Sequence, residues 1–552
     1  MRCKALVIWL LVLSSCSGSK LLNRYPDLSD YRSDTLRLII DKDSIKALAS
    51  DYLVQTPSGN WELYVSGDAF ELGAKTGLLS QDLYTQQQEI FVNRLFEFVP
   101  SRFKQRFVMR FMGWYNRQLE NYIPEEYLLE IYALSNFLQD DFDYLGNNYQ
   151  RTLWMHAAHD LGHALQDLAI VGCSSFAVWD EKSKDGKLLI GRNFDFYLNE
   201  EFAQNKMVYF VHPEAGIPYM SVSWPGMVGV LSGMNREGLT VTMNAGKSTV
   251  PLSAKTPISI VAREILQHAS TLDEAIAIAK SKKVFVSESL LIGSAKDKKA
   301  ILVEISPKRI DFYEPNESPL ICTNHFQSNS YVKDKRNVKH IQESHSAYRY
   351  QRLDELLSRK DQLGPEDAVS LLRNREGLHD APIGLGNDKS LNHLLAHHGI
   401  VFQPEDKLVF VSNNPGQMGH FTAYDLDEVF SGDWSEKKSY GIDSLMISAD
   451  PFIMTDAYRN FRTFKIQTER YLTGLKERNI YSTKEELTAY VQLNPELWLG
   501  HYIAGRIFYK QKKYGDALEC FRLAQTKVVP THHAQLDIDK HLKKATKKWK
   551  NR

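Results

Sequence analysis

A cysteine follows a glycine at residues 172 and 173, where helix-like spacing gives way to strand-like alternation in "IVGCSSFAVWD". Cysteine acts as a nucleophile through its thiolate, so its neighbours decide whether it is reactive or an inert buried thiol. The residues after it read as a β-hairpin: a strand "CSSFAVWD", a polar turn "EKSKDG" and a second strand "KLLIGRNFDFY". A turn centred near residue 183 places Cys173 opposite residue 193, with Arg192 and Asp195 flanking the thiol. Three-residue spacing puts those two side chains on opposite faces of a regular strand, so both reach Cys173 only through a bulge or its backbone end.

The elements that must hold these residues fall into three parts. Residues from about 25 to 170 carry apolar side chains at three- and four-residue spacing, as in "SQDLYTQQQEIFVNRLFEFV" and "IPEEYLLEIYALSNFL", and are expected to be mostly helical. From Cys173 the chain turns to short strand-like runs, among them "MVYFVHP", "PYMSVSWPGMVGVLSGMN" and "LTVTMNAG". Helices return in "PISIVAREILQHASTLDEAIAIAKS", followed by strands "SLLIGSA" and "KAILVEIS" and a last strand "KLVFVSNN". Separate runs of strands and helices predict an α+β layered fold. The tail from 450 is helical. Gly505, Phe508, Ala517, Phe521 and Ala524 match a tetratricopeptide-type helix pair, with Pro530 near its expected breaker.

The bulk properties narrow the function classes. The 552 residues contain 67 basic and 67 acidic side chains and 43% hydrophobic residues, enough for a full core and with no charge excess to favour nucleic acid. At the N-terminus, Arg2 and Lys4 precede the apolar run Ala5–Leu13, a pattern of an export signal too short for a stable span. Leu13-Ser14-Ser15-Cys16 resembles a bacterial lipobox, which implies cleavage after residue 15 and lipidation of Cys16. The expected location is then the bacterial cell envelope, with acyl chains in the membrane and the folded part in water. Cys322 and Cys520 are too few and too scattered for a disulfide framework, and no CxxC pair suggests zinc.

The ordered pieces "GCSSF…GRNFDF", "SGMNREGLTVTMNAG", "CTNHF" and "SAYRYQRLDELL" together resemble the N-terminal nucleophile hydrolases. They are most similar to the autoproteolytic family typified by acyl-CoA:6-aminopenicillanate acyltransferase, with choloylglycine hydrolases and acid ceramidase-like amidases as more distant relatives. The resemblance covers roughly residues 130 to 430. It implies an αββα sandwich and self-cleavage between Gly172 and Cys173. The freed α-amine, with a pKa of about 7.7 to 8.0, then serves as base for its own thiol. It further implies that Arg192 favours the thiolate and that Asp195 orients the amine. Asn244 donates to the oxyanion, and Asn324 holds the amine or the substrate amide. Arg349 and Arg352 both stand where choloylglycine-type enzymes carry an active-site arginine, and His325 matches the family's Asn-His-Phe run at the pocket rim.

The expected organisation is a lipoprotein signal at 1–15, a helical segment at 16–172 released by cleavage, a catalytic domain at 173–430 and a tetratricopeptide-like region at 450–552. The expected activity is hydrolysis of a non-peptide N-acyl amide, or transfer of its acyl group, through acyl-Cys173 and without a cofactor. The partners are that small molecule, the protein's own N-terminal fragment, a membrane through the anchor, and a protein on the helical tail. A lipid-anchored scaffold with a degenerate hydrolase domain is the alternative. No metal is expected: His156, His159 and His163 lack the HExxH pattern, and "HLLAHHG", with His393, His397 and His398, reads as a helix end near the active-site rim.

Overall fold

A computed structural model of the chain describes residues 25–29, 36–99, 101–139, 142, 145–164, 172–196, 201–247, 253–431 and 439–551. The signal segment and Cys16 lie outside them, as do the side chains of His159 and His163. The chain opens with four short strands, β1 (Ile40–Lys42), β2 (Ile45–Ala47), β3 (Tyr52–Gln55) and β4 (Trp61–Gly67). Helices α1 (Ala69–Phe98), α2 (Arg102–Tyr115), α3 (Glu125–Ser135) and α4 (Asn148–Ala164) follow. Next come β5 (Ser174–Val178), β6 (Leu189–Phe194), β7 (Met207–Pro213), β8 (Tyr219–Ser223), β9 (Ser232–Asn235) and β10 (Leu239–Ala245). After α5 (Ile258–His268) and α6 (Leu272–Ser281) stand β11 (Glu288–Ser294), β12 (Lys299–Ser306), β13 (Arg309–Tyr313) and β14 (Leu320–Cys322). Helices α7 (Lys335–Glu343), α8 (Ser346–Ser358) and α9 (Pro365–Leu372) lead to β15 (His398–Gln403), β16 (Leu408–Ser412), β17 (Phe421–Asp425), α10 (Leu426–Ser431) and β18 (Ile442–Ile447). The tail is α11 (Asp456–Glu477), α12 (Lys484–Gln492), α13 (Trp498–Lys510), α14 (Tyr514–Thr526) and α15 (His532–Lys550).

The strands form two sheets. One runs β1-β2-β3-β4-β7-β8-β9-β10-β11-β12-β13, the other β14-β5-β6-β15-β16-β17-β18. Their facing surfaces share one apolar layer, with Val208, Phe210, Met220, Leu291 and Leu302 from the first against Ala177, Ile190, Ile400, Phe402 and Val411 from the second. The outer face of the first sheet packs through Leu63, Val65, Val241 and Ile292 on helix residues Leu79, Leu83, Ile131, Val261 and Ile265. The outer face of the second packs through Phe176, Val178, Leu189 and Phe410 on Leu353, Leu357, Val369 and Leu372 of α8 and α9. Alternate residues of each strand thus enter opposite cores, and four layers in the order helix, sheet, sheet, helix result.

Four expectations need correction. Residues 25–170 are not uniformly helical, because β1 to β4 precede the helices and β4 lies parallel to β7 over seven residue pairs, Trp61↔Met207 to Gly67↔Pro213. The strand "KLVFVSNN" is not the last, since β17 and β18 follow it and carry the second sheet past residue 430. "HLLAHHG" is a loop that enters β15, not a helix end. The β5–β6 register pairs Ser174 with Asn193 and Ser175 with Arg192. Cys173 therefore falls opposite Phe194, one residue from the expected partner, and Cys173 and Arg192 share the face toward the other sheet.

The tail helices enclose their own core, including Tyr471, Tyr490, Ile503, Ile507, Phe521 and Ile538. Gly505 lets α13 and α14 approach so closely that an added Cβ would lie 2.7 Å from the Phe521 ring. Pro530 precedes α15.

The segment before residue 172 is bound into both sheets. Besides the β4–β7 ladder, the buried Glu62 carboxyl accepts from Tyr424 Oη at 3.0 Å, Ser439 Oγ at 2.7 Å and the Tyr440 amide at 3.1 Å. A backbone cut between α4 and β5 should leave the two pieces comigrating on native gel filtration and separating only in denaturant. Separation without denaturant would contradict this packing.

Candidate active site

The site lies where β5, β6 and β10 meet the start of α8. Cys173 is fully buried and its thiol is free. Arg192, projecting from β6 on the same face, places Nη2 3.9 Å from Cys173 Sγ. Its guanidinium also donates to the carbonyls of Leu231, at 2.5 Å, and Met243, and to Ser232 Oγ, so it ties β6 to β9 and β10 of the other sheet. Burial pushes the Cys173 thiol up from its ordinary value, and the Arg192 charge works against that rise.

Arg349 and Arg352 are separated by the fold. Arg349, one turn into α8, donates through Nη1 to the Cys173 carbonyl at 2.6 Å and to Ser174 Oγ at 2.7 Å. Its Nη2 donates to Asn324 Oδ1 at 2.6 Å and its Nε to His345 Nδ1 at 3.2 Å. Arg352 instead pairs with Glu355 at 2.9 Å and Asp380 at 2.7 Å and donates to Asn374 Oδ1 at 3.1 Å. It belongs to a surface-facing ion network and does not contact Cys173.

The two asparagines join the sheets at the site. Asn324 donates to the Ala245 carbonyl at 3.1 Å, and its backbone amide donates to Ser346 Oγ at 2.8 Å. Asn244 donates to the carbonyls of Cys322 at 3.1 Å and Thr323 at 3.3 Å, and accepts from Ser175 Oγ at 3.0 Å. Its amide donors are therefore engaged in this conformation rather than directed at an empty oxyanion position. His325 binds Ser346 Oγ at 2.8 Å and Thr323 Oγ1 at 3.1 Å, bracing the start of α8.

Asp195 follows the end of β6 and is buried. Its carbonyl accepts the Gly172 amide at 3.3 Å, while neither carboxyl oxygen has a hydrogen-bond partner among the described residues. Burial pushes its carboxyl up to about 7, against the pull of Arg349 and Arg192. Sequence reasoning put His393 in a helix end at the active-site rim; it stands instead in a loop, with its Nδ1 3.9 Å from Asp195 Oδ2. A Cβ on Gly172 would come within 2.3 Å of His393 Cε1. Gly172 is thus required by close approach and not by a positive φ. Burial, with Arg349 adding, pushes the His393 imidazole down to about 3, so it is neutral. Its loop is held by the helical tail: Asn494 exchanges hydrogen bonds with Leu385 at 2.8 and 3.1 Å, and Asn387 donates to the Val528 carbonyl at 2.8 Å.

His156, by contrast, is consumed by the backbone. Its Nδ1 meets the Thr152 carbonyl and its Nε2 accepts the Val228 amide, both at 2.8 Å.

Residues 179–409 match the sequence model described as acyl-coenzyme A:6-aminopenicillanic acid acyl-transferase. The match holds Arg192, Asp195, Asn244, Asn324, Arg349 and His393 and begins just after Cys173. An uncharacterized protein of Archaeoglobus fulgidus is 25% identical over 275 residues, 46% of this chain and 45% of that protein. Protein dcd1B of Dictyostelium discoideum is 23% identical over 276 residues, 47% and 52% of the two chains. The chain thus spans about half the length of the curated relatives it matches. Among solved structures, the Caenorhabditis elegans N-acylethanolamine-hydrolyzing acid amidase ortholog is 18% identical with a TM-score of 0.30, covering 42% of this chain and 93% of that one. Conjugated bile acid hydrolase from Clostridium perfringens is 13% identical with a TM-score of 0.32, covering 46% and 93%. Penicillin V acylase from Agrobacterium tumefaciens is 15% identical with a TM-score of 0.29, covering 46% and 87%.

The raised Asp195 value has a measurable sign. An unfolded carboxyl loses its proton near pH 4, whereas the folded one keeps it to about 7. Between those values the folded chain binds more protons, so stability falls as pH rises, by up to about 1.4 kcal/mol per unit. Urea midpoints of an uncleaved chain across that window should fall more steeply with pH than those of Asp195→Asn. Equal slopes would remove Asp195 as the source.

Proposed function

We propose that the protein is a self-activating cysteine amidohydrolase that works through an acyl-Cys173 intermediate. The observation that carries this reading is the environment of one peptide bond. Gly172 is packed against His393, the Cys173 carbonyl is gripped by Arg349, the thiol lies beside Arg192, and the Asp195 carboxyl is buried without a donor. The family match of the following residues supports acyl-group chemistry at such a thiol.

In the first step the Cys173 sulfur attacks the Gly172 carbonyl carbon as the thiol proton leaves. The tetrahedral centre collapses with rupture of the Gly172–Cys173 C–N bond, and the nitrogen takes up a proton. Water then opens the resulting thioester, giving a Gly172 carboxylate, the Cys173 thiol and a free Cys173 α-amine. That amine titrates at about 7.7 to 8.0 in water and can accept the thiol proton, so no catalytic histidine is needed. Asp195 accepts hydrogen bonds from it and fixes its direction. In turnover the thiolate attacks the carbonyl of an N-acyl amide, the α-ammonium returns its proton to the departing amine, and water releases the acid.

The amide donors of Asn244 become available to an oxyanion only if they leave the Cys322 and Thr323 carbonyls. A donor of this kind lowers the barrier by about 3 to 4 kcal/mol. Export and lipidation at Cys16 place the enzyme in the cell envelope, where acyl-CoA is absent, so hydrolysis is preferred to transfer. The tail is read as a tetratricopeptide-type unit, supported by the Gly505–Phe521 approach and the buried Ala517 and Ala524, with a partner-binding role.

On a denaturing gel with N-terminal sequencing, the wild type should show a new terminus at Cys173, absent in Cys173→Ala and formed more slowly in Cys173→Ser. Gly172→Ala should also slow processing, because its methyl group meets the His393 ring. A mature, active wild type with an intact Gly172–Cys173 bond would overturn the reading. Full activity in Arg349→Met with loss in Arg352→Met would overturn the assignment of the arginine.

A further inference from the structure

Helix α2 presents its aromatic side outward. Phe103, Phe107 and Phe111 are 82%, 53% and 42% exposed. Successive four-residue steps turn by only about 40°, so the three rings form one stripe along the helix. The inward side holds Gln105, which is buried and donates to the Val99 carbonyl at 2.9 Å, with Tyr115 seated in the core. Trp114 and Tyr115 pack on the core at the end of the helix and the Phe111 ring meets theirs at 5.8 and 6.1 Å, so the outward rings are additional to the inward apolar contact of an ordinary surface helix. Cations flank the stripe: Lys104 lies on one side and Arg102, Arg106 and Arg110 on the other, and no Asp or Glu occurs from residue 98 to residue 119. Among the described residues no helix is long and apolar enough to cross a membrane, so this is not a spanning element.

We propose that α2 is a membrane-docking helix that lies in the interface of a bilayer containing anionic lipid. The three phenylalanine rings enter the acyl boundary while the four cations meet phosphate headgroups. The occupant is argued from charge: a second copy would oppose cation to cation, whereas an anionic surface neutralises all four. The docking face is separate from Cys173 and does not depend on the activity proposed above.

The test uses the full chain with Cys16→Ser, so that no acyl anchor forms and the apolar leader is common to every variant. Sedimentation with vesicles of phosphatidylglycerol and phosphatidylcholine is compared with phosphatidylcholine alone. The expected result is binding to the anionic vesicles that weakens as salt rises and falls roughly tenfold or more in Phe103→Ser/Phe107→Ser/Phe111→Ser. Arg102→Glu/Lys104→Glu/Arg106→Glu/Arg110→Glu should lose the preference for anionic lipid. The charge variant and Phe103→Ser/Phe107→Ser should keep the wild-type unfolding midpoint, because those side chains are solvent-facing, whereas Phe111 also meets the Trp114 and Tyr115 rings. Equal vesicle binding by wild type and the phenylalanine variant would overturn the proposal. So would a lower unfolding midpoint in Phe103→Ser/Phe107→Ser, which would show that the chain itself covers the stripe. A wild-type dimer that the variant abolishes, without vesicle binding, would assign the face to a second copy instead.

Discussion

The active-site region depends on one buried cation. The Arg349 guanidinium has five N–H donors and uses four contacts to reach the Cys173 carbonyl, Ser174, Asn324 and His345. No carboxylate among the described residues accepts directly from this buried charge, although Asp195 and Asp388 act on it at longer range, so these hydrogen bonds stabilise it. Through them α8 is locked to the start of β5 and to the residue after β14. Removal of the charge leaves a carbonyl, a hydroxyl and two side chains with unmet partners in a dry interior. Burial lowers Arg349 to about 10, still well above neutrality, so the grip persists at physiological pH.

A second constraint comes from the tail. The loop with His393 packs Leu391 into the core beside β5 and β6 and is clasped by Asn494 and Val528, which lie in the connections between the C-terminal helices. Gly384 and Gly386 have φ of +84° and +78°, and side chains at those positions would strike Leu497 and Phe461. The tail therefore reaches the cysteine indirectly: helices fix the loop, the loop places His393, and His393 crowds Gly172. A change at the tail surface has a physical route to the scissile bond.

Much of this was legible from the chain. "MVYFVHP" and "LTVTMNA" became strands β7 and β10 because both their faces enter cores, which gives continuous apolar runs. β1 and β2 were not legible: they are three residues long, β1 is largely exposed, and they read "IDK" and "IKA". β4 was missed although it forms a local hairpin with β3, because its other partner β7 lies far along the chain. Cys173, Arg192, Asp195 and Asn324 were recognisable by type and order. Arg349 and Arg352 were not separable, because three residues on a helix share a face and only the neighbours at each end decide which guanidinium turns inward. His393 carries no motif, and its meaning arises from a loop that other elements place.

The charges at the site suit the products of the proposed cleavage better than the intact chain. In the uncut state Arg192 and Arg349 are cations, the nearby histidines are neutral, and burial pushes the Asp195 carboxyl up to about 7, with no hydrogen-bond donor to it among the described residues. An amide nitrogen at Cys173 brings no charge to this set. An α-ammonium in its place brings both a cation and three N–H donors to a carboxyl that has none, which lowers the Asp195 pKa and makes it an anion. That anion in turn raises the amine pKa toward or above neutrality and offsets the effect of the two guanidinium groups. In the proposed cleavage, bond rupture completes an ion pair between the new α-ammonium and Asp195, and the electrostatic energy of that pair contributes to the proposed step.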